Sequence, residues 1–347
     1  EVWYYFEDGF LTKEQMEMDG RMLQCFIVPW MNPADVNRTP AWVNETVWYQ
    51  IFPDRFCDGK ENQGGEDFIP TRENFFGGTL RGITGKISYL RELGVQGIYL
   101  NPIFRSDSNH RYDTVSYTEL DPRLGGKTDF RVLVETLHQA GMRIMLDGVF
   151  NHTGYVSRYF NGDGSYPGLG ASQSQDSPYY PWFRFSRWPD QYESWWGIYS
   201  LPGVEENCQS YVNYIAGDKH SIVRRWLRAG ADGWRLDVAD ELPDEFLHTV
   251  HAAARAEKPS AVVIGEVWED GSNKVAYGVR RRHIWGGHCD GLMNYPFRSA
   301  LLSFLLHGRA EEFKQAMETL REHYPPWAFF SAMNSLGTHD TPRILTL

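Results

Sequence analysis

The chain has 347 residues, and its 45 Asp and Glu against 34 Lys and Arg give a formal net charge of −11. An acidic surplus of this size argues against a dedicated binder of nucleic acids or anionic membranes, which would carry a basic patch. The uncharged apolar runs all fall short of the roughly 18 residues that a membrane span needs. The length fits one large α/β domain of about 250 or more residues with insertions, or two ordinary domains.

Short apolar strands alternate with helical patterns along most of the chain. The strand candidates are residues 47–51, 97–100, 143–146, 233–236 and 261–264, with weaker ones at 291–294 and 331–336. The helical patterns between them cover residues 83–93, 127–140, 221–229, 244–256 and 310–322. This alternation predicts parallel strands joined by right-handed crossovers, and the stretch from about 154 to 209 interrupts it as a long insertion after the third strand.

The aromatic residues and the cysteines add two constraints. Trp, Tyr and Phe make up 15% of the chain, and many of them lie beside Gly, Pro, Asn and Asp in loop-like stretches. Such loops favour a flat, polar, uncharged ligand, and sugar rings fit that description. The four cysteines (Cys25, Cys57, Cys208 and Cys289) form no CxxC pair, which argues against a zinc site. Disulfide pairing among them stays open, although so few in a long chain fit a reducing compartment.

Polar clusters follow four of the strands. A barrel of parallel strands and helices places its active site at these carboxyl ends of the strands. Asp147-Gly-Val-Phe-Asn-His152 follows the third strand, and Asp237 follows the fourth. Glu266-Val-Trp268 follows the fifth, and Thr338-His339-Asp340 follows the seventh. A single Asp after a strand is more often a helix cap or a surface charge. Four clusters in order, each at a strand end, instead favour a catalytic function.

These segments resemble the four ordered signature regions of the α-amylase family of glycoside hydrolases. The matching stretches are residues 147–152, 233–237, 265–268 and 336–340, and residues 201–205 resemble a fifth region. Tyr49-Gln-Ile-Phe-Pro-Asp-Arg-Phe56 and Glu266-Val-Trp268 are most similar to the neopullulanase, cyclomaltodextrinase and maltogenic amylase subgroup. The resemblance implies an α/β fold, a (β/α)8 TIM-type barrel with a domain B inserted after strand 3.

The resemblance also implies a domain organisation. Residues 1–38 would be the remnant of an N-terminal β-sandwich domain and its linker, and residues 39–153 the first part of the barrel. Residues 154–209 would be domain B, and residues 210–347 would continue the barrel to just after strand 7. We expect the eighth strand and the C-terminal β-domain of the family to lie outside this chain, which would then be a truncated piece of a longer enzyme.

The resemblance assigns three catalytic carboxylates. Asp237 matches the nucleophile, Glu266 matches the general acid that later acts as base, and Asp340 matches the carboxylate that holds sugar hydroxyls. Cleavage with retention needs the first two carboxyl groups about 5–5.5 Å apart. Arg235 lies two residues before Asp237 on the same face of a strand, and its charge would keep Asp237 ionised.

Four further residues match substrate-binding positions of the family. Tyr112 matches the aromatic residue that stacks under the sugar at the point of cleavage, and a core tyrosine is the alternative. His152 and His339 match hydrogen-bond donors to that sugar. Trp268 resembles a subgroup residue that shapes the acceptor side, and Asp147 matches a residue that braces the site. Tryptophans of the insertion (Trp182, Trp188, Trp195 and Trp196) are candidates for sugar platforms or for packing.

The resemblance therefore implies a retaining hydrolase that cleaves α-1,4-glucosidic bonds of maltodextrins, cyclodextrins or pullulan, with α-1,6 cleavage left open. A transglycosylase on the same substrates is the first alternative. A non-catalytic glucan-binding relative is the second, and it is disfavoured because Asp237, Glu266 and Asp340 are all present.

We expect no cofactor. Subgroup members often bind calcium near the start of the barrel, but Lys60 and Thr79 stand where carboxylate ligands would be expected, and a lysine offers calcium no oxygen. The expected partner is an α-glucan oligosaccharide or polysaccharide, with no nucleic acid and no membrane. Following the subgroup, the full-length protein is predicted to form a homodimer and to be cytoplasmic.

Overall fold

The computed structural model describes residues 3–6, 9–19, 39–60 and 71–347. It divides into two compact units. The larger unit comprises Pro40–Val238 and Thr249–Val263, and the smaller unit comprises Glu1–Thr39, Ala239–His248 and Ile264–Leu347. Cys25 and most of the predicted N-terminal remnant lie outside the described residues.

Parallel strands form the centre of the larger unit. They are β1 (Trp48–Ile51), β2 (Gly97–Leu100), β3 (Arg143–Gly148) and β4 (Gly233–Leu236), and neighbours in this order pair in parallel. Strand β5 (Val262–Gly265) begins in this unit, where the Val262 N–H donates to the Asp232 carbonyl at 3.0 Å. All residues of β2 and β4 are buried, as expected of parallel strands covered on both faces.

Helices connect these strands, and the predicted alternation is confirmed. Leu80–Gly85 and Ile87–Glu92 stand between β1 and β2, so the single helix predicted at 83–93 is divided at Lys86. Lys127–Gln139 precedes β3, Ile222–Arg228 precedes β4, and Asp244–Glu257 precedes β5. Lys127–Gln139 buries side chains three and four positions apart, the spacing of one helical face: Phe130, Leu133, Val134 and Leu137.

Several smaller elements of the larger unit were not predicted. Phe104–Ser106 and Thr114–Leu120 form a hairpin after β2. Residues 154–209 hold a second hairpin, Phe185–Arg187 with Gln191–Tyr192, and the short 3-10 helices Tyr180–Trp182 and Trp195–Gly197. The remaining short helical segments are Ala41–Glu45, Pro53–Phe56, Gln209–Val212 and Asn213–Gly217.

In the smaller unit the end of β5 pairs in parallel with β6 (Gly291–Leu292). The seventh predicted strand is reduced to one parallel bridge, between Met293 and Met333. Ser331 explains this, because it closes the preceding helix and its hydroxyl bonds to the Trp327 carbonyl at 2.6 Å. The helices are Lys13–Asp19, Tyr295–His307, Ala310–His323, Pro326–Phe330 and the 3-10 turn Ile344–Thr346. The hairpins are Trp3–Phe6 with Gly9–Thr12 and Val275–Ala276 with Val279–Arg280.

The helices in the described part of the chain are all too short or too polar to cross a bilayer.

Replacing Gly233 by Ala tests the close approach of β4 to β5. A Cβ at Gly233 would lie 2.5 Å from the Val262 carbonyl oxygen, which is backbone and cannot swing away. We expect a loss of about 1–3 kcal/mol in the free energy of unfolding, measured by urea titration. Gly85→Ala is the matched control, because it meets nothing within 4 Å and ends a helix. A loss no larger than that of the control would show that β4 tolerates a side chain there.

Candidate active site

Asp147, at the carboxyl end of β3, is the centre of a buried polar network in the larger unit. Its carboxylate accepts hydrogen bonds from the Tyr99 hydroxyl at 2.5 Å, the Tyr112 hydroxyl at 2.8 Å and Arg235 Nη1 at 2.8 Å. Arg235 and Asp147 face each other directly in the pairing of β3 with β4. Burial raises the pKa of Asp147, and the Arg235 guanidinium opposes that rise.

Arg235 joins this network to Asp237. The same Nη1 donates to Asp237 Oδ1 at 2.7 Å, and the arginine side chain is 1% exposed. Asp237 follows β4 directly, and its N–H donates to the Gly148 carbonyl at 3.1 Å. A guanidinium at this distance in a water-poor setting favours the ionised carboxylate.

The backbone turns sharply just after Asp237. Val238 has a φ of 44°, a left-handed conformation that a β-branched residue seldom adopts. Such a conformation costs on the order of 1–3 kcal/mol and persists only where its surroundings enforce it. The network that fixes Asp237 therefore includes a strained peptide immediately downstream.

Tyr112 and His152 flank this network. The Tyr112 hydroxyl also accepts from Asn101 Nδ2 at 3.0 Å, which fixes a half-buried ring. His152 is 1% exposed and stacks on Trp195 with ring centroids 5.1 Å apart. Among the described residues its Nε2 has no hydrogen-bond partner. A buried ring nitrogen without a partner is costly unless a ligand supplies one.

Two members of the network are absent from the sequence-based set. Tyr99 donates to Asp147, and Asn101 orients Tyr112. Tyr99 lies inside an apolar strand and resembles core, so sequence alone offered no signal for it. Asn101 had one, because it is the first polar residue after β2 and thus occupies a carboxyl end.

The smaller unit holds the other predicted site residues. Glu266 is 5% exposed and follows β5 directly. Trp268 stacks flat on Tyr295, with centroids 4.0 Å apart and planes 7° from parallel, while 46% of the residue stays exposed. His339 Nε2 lies 3.3 Å from Asp340 Oδ1, and the Asp340 N–H donates to the Thr338 hydroxyl at 3.3 Å.

Asp240 forms ion pairs in the smaller unit. Lys274 contacts the carboxylates of both Asp240 and Glu269. His283 Nε2 lies 3.3 Å from Asp240 Oδ1. The charge of Asp240 is therefore matched by a lysine rather than left exposed.

Thr79, which stands where a calcium-binding carboxylate would be expected, stabilises the start of a helix. Thr79 caps the helix Leu80–Gly85, because its hydroxyl accepts from the Gly82 N–H at 3.0 Å. The described residues contain no group of three His, Cys, Asp or Glu placed to hold a metal ion. Within the same residues Cys57, Cys208 and Cys289 are free thiols.

Among the tryptophans of the insertion, Trp182 packs and Trp196 is exposed. Trp182 is 3% exposed, and its indole N–H donates to the Ser210 hydroxyl at 2.9 Å. Trp188 is half-buried and donates to the Ala171 carbonyl at 3.0 Å. Trp196 is 78% exposed and has a left-handed backbone with a φ of 50°.

His152 gives the protein a measurable pH dependence. Burial lowers the pKa of His152 to about 4, whereas an unfolded histidine titrates near about 6.5. The contribution of the neutral His152 ring to the free energy of unfolding is complete above about pH 6.5. It is lost as the pH falls towards 4, because the unfolded chain takes up the proton first. We expect His152→Gln to remove up to about 3 kcal/mol of this dependence, measured by urea unfolding between pH 7 and 4.

The exposed His220 supplies the control, since His220→Gln makes the same substitution at a surface position. Equal slopes in the wild type and His152→Gln would contradict the burial of a neutral imidazole.

Comparison with known proteins assigns the chain to a family. The family described as alpha amylase, catalytic domain, matches residues 50–347. The chain therefore belongs to the α-amylase family. The match confirms the predicted fold class and the resemblance to this family of glycoside hydrolases.

Individual relatives agree with this assignment. The chain is 37% identical to an amylopullulanase of Thermoanaerobacter thermohydrosulfuricus, over 100% of this chain and 28% of that protein. It is 36% identical to a cyclomaltodextrinase of Geobacillus thermopakistaniensis (strain MAS1), over 99% of this chain and 57% of that protein. The ligand-free cyclic α-maltosyl-(1→6)-maltose hydrolase of Arthrobacter globiformis has a TM-score of 0.77 at 30% identity, over 89% of this chain and 69% of that one. The chain thus spans 28% and 57% of the two curated relatives.

Proposed function

We propose that this chain carries the catalytic machinery of a retaining α-glucan hydrolase. Its substrates would be maltodextrins, cyclodextrins or pullulan. The observation that carries the proposal is the Arg235–Asp237 pair at 2.7 Å, at the carboxyl end of β4 and inside a signature motif of the family. Glu266 supports it, because it follows the next parallel strand and is nearly buried.

The reaction would proceed by double displacement. In the first step a carboxylate oxygen of Asp237 attacks the anomeric carbon, and Glu266 gives its proton to the leaving glycosidic oxygen. In the second step Glu266 takes a proton from water, and the resulting nucleophile attacks the same carbon and releases Asp237. Arg235 disperses the negative charge of Asp237 before and after the covalent glycosyl ester.

The remaining site residues would hold the sugar. Tyr112, fixed through its hydroxyl, would present its ring to the sugar that carries the reacting carbon. The Nε2 atom of His152 would form a hydrogen bond with a sugar hydroxyl, and His339 would bind the sugar in the same way. Asp340 would bind sugar hydroxyls and favour a distorted ring. Trp268 would offer its exposed face on the acceptor side.

The relatives support the choice of glucan. Two of them are named for the substrates cyclomaltodextrin and pullulan, and the solved structure is a hydrolase of a cyclic maltosyl-maltose. Cleavage of α-1,6 bonds besides α-1,4 bonds is therefore part of the proposal. A homodimer and a cytoplasmic location remain predictions from the sequence resemblance.

Incubation with β-cyclodextrin, starch and pullulan, followed by product sizing, tests this function. We expect cyclodextrin to be opened and cut faster than starch. Proton NMR of the first products should show the α-anomer, because two displacements restore the configuration. Products that first appear as the β-anomer, or no products from any of the three glucans, would refute the proposal.

Transfer to a sugar instead of water is the second candidate. The observation that favours it is the exposed face of Trp268, held rigid by Tyr295 two residues after Glu266. Addition of excess maltose should then give products longer than the starting glucan. Trp268→Ala should shift the balance back towards hydrolysis.

A further inference from the structure

A cavity of about 500 Å³ lies within the larger unit, inside the stretch 154–209 and its borders. Small-ligand sites in proteins have volumes of about 300–1,000 Å³, so this cavity has the size of a binding site. None of the residues assigned above to the reaction lines it: not Tyr112, His152, Arg235 or Asp237. The cavity is therefore a feature that the catalytic proposal does not explain.

Fixed aromatic rings line one side of the cavity. The Tyr192 ring lies 4.5 Å from Phe160 and 5.5 Å from Tyr199, and Tyr155 stacks on it at 6.5 Å. The Tyr192 hydroxyl donates to the Tyr199 carbonyl at 2.7 Å, and the Tyr155 hydroxyl donates to the Gly162 carbonyl at 2.9 Å. Rings held in this way lose little freedom when a ligand binds, which favours affinity.

Two polar side chains, Asp190 and Gln173, also line the cavity and are called its rim here. Asp190 is exposed. Gln173 is fixed because its Oε1 accepts from Asn161 Nδ2 at 2.8 Å. A carboxylate and an amide suit neighbouring hydroxyl groups, and the negative charge of Asp190 disfavours anionic ligands. An aromatic wall with such a rim suits a neutral sugar.

The cavity connects to His152 through the backbone. The Tyr155 N–H donates to the Ser200 carbonyl at 2.9 Å, and the Thr153 N–H donates to the Pro202 carbonyl at 3.0 Å. His152 itself bridges to Gly203 in the same antiparallel pairing. Backbone hydrogen bonds therefore link the residues beside His152 to residues that line the cavity.

We propose that this cavity binds a segment of an α-glucan chain at a point separate from the bond that is cleaved. The choice of α-glucan rests on the proposed function, whereas the sugar chemistry of the cavity does not. Long glucans would contact both places, and short ones would reach only the catalytic residues. The cavity would thus raise affinity for polymers without taking part in the reaction.

Starch-affinity gel electrophoresis tests the proposal. The variants Tyr199→Ala and Asp190→Ala remove an exposed ring and the rim carboxylate, and Tyr89→Ala is the control because it removes a half-exposed tyrosine from a helix surface. All three are made in an Asp237→Asn background so that the starch is not consumed. We expect the first two to weaken retardation by about tenfold, and Tyr89→Ala to leave it unchanged.

The same substitutions in the active chain are assayed on 4-nitrophenyl α-maltoside, a substrate with only two glucose units. Unchanged turnover of this substrate together with lost retardation supports a separate site. Retardation of Tyr199→Ala and Asp190→Ala equal to that of Tyr89→Ala overturns the proposal, and so does a parallel loss of turnover. Failure of the unsubstituted chain to cleave the maltoside refutes the proposed function, while retardation still decides the cavity.

Discussion

Replacing Asp237 by Asn is expected to lower kcat by about 10³-fold or more, because an amide cannot form the glycosyl ester. Glu266→Gln should lower kcat by about 10²–10⁴-fold, the usual contribution of a general acid. Fold damage would be small in the first variant, since Arg235 keeps its bond to Asp147. Initial rates on cyclodextrin measure both effects.

A substrate with a good leaving group separates the two roles. α-Maltosyl fluoride needs little proton donation, so Glu266→Gln should keep much of its rate of glycosyl transfer to the enzyme, whereas Asp237→Asn should not. Near-normal turnover of cyclodextrin by either variant would contradict its assigned role.

Replacing Arg235 by Met is expected to lower the free energy of unfolding by about 3–5 kcal/mol and to abolish measurable turnover. The arginine and the Asp147 side chain are 1% and 0% exposed, so its loss leaves buried carboxylates without their cation. Urea unfolding with tryptophan fluorescence measures the stability. The deficit should shrink as the pH falls, because protonation removes the charge of the carboxylates.

Arg228→Met is the matched control. Arg228 also donates to a carboxylate, Glu257, at 2.6 Å, but its side chain is 43% exposed. Exposed pairs contribute about 0–1 kcal/mol, so this variant should be nearly as stable as the wild type. Equal losses in the two variants would show that burial of the Arg235 network does not set its contribution.

The sequence was sufficient where one local pattern decides the structure. Strand β4 and the helix Lys127–Gln139 were predicted closely because apolar spacing and burial coincide there. Asp147 and Arg235 could be placed together because both stand at the carboxyl ends of predicted parallel strands. Their contact then follows from the pairing of β3 with β4.

Elements that depend on distant contacts were missed. The helix Tyr295–His307 carries apolar residues around most of its surface, so it shows no helical period. Ser331 was predicted to lie in a strand. It instead forms a turn that is set by a hydrogen bond to Trp327, and apolar patterning gives no sign of that bond. The cavity joins residues from Tyr155 to Ser200 through loop packing, which no local pattern records. Tyr99 was predicted only as part of the strand 97–100, because a hydroxyl partner cannot be inferred from one strand.

The left-handed Val238 has a consequence for how this protein can evolve. Glycine or asparagine at this position would relieve the backbone strain and stabilise the fold, so a single substitution there would raise the free energy of unfolding. The same change would give the peptide after Asp237 more conformational freedom. The Asp237 carboxylate would then be held less firmly in the orientation that attack requires. Selection for thermal stability would thus favour glycine or asparagine at this position, whereas selection for turnover would favour valine.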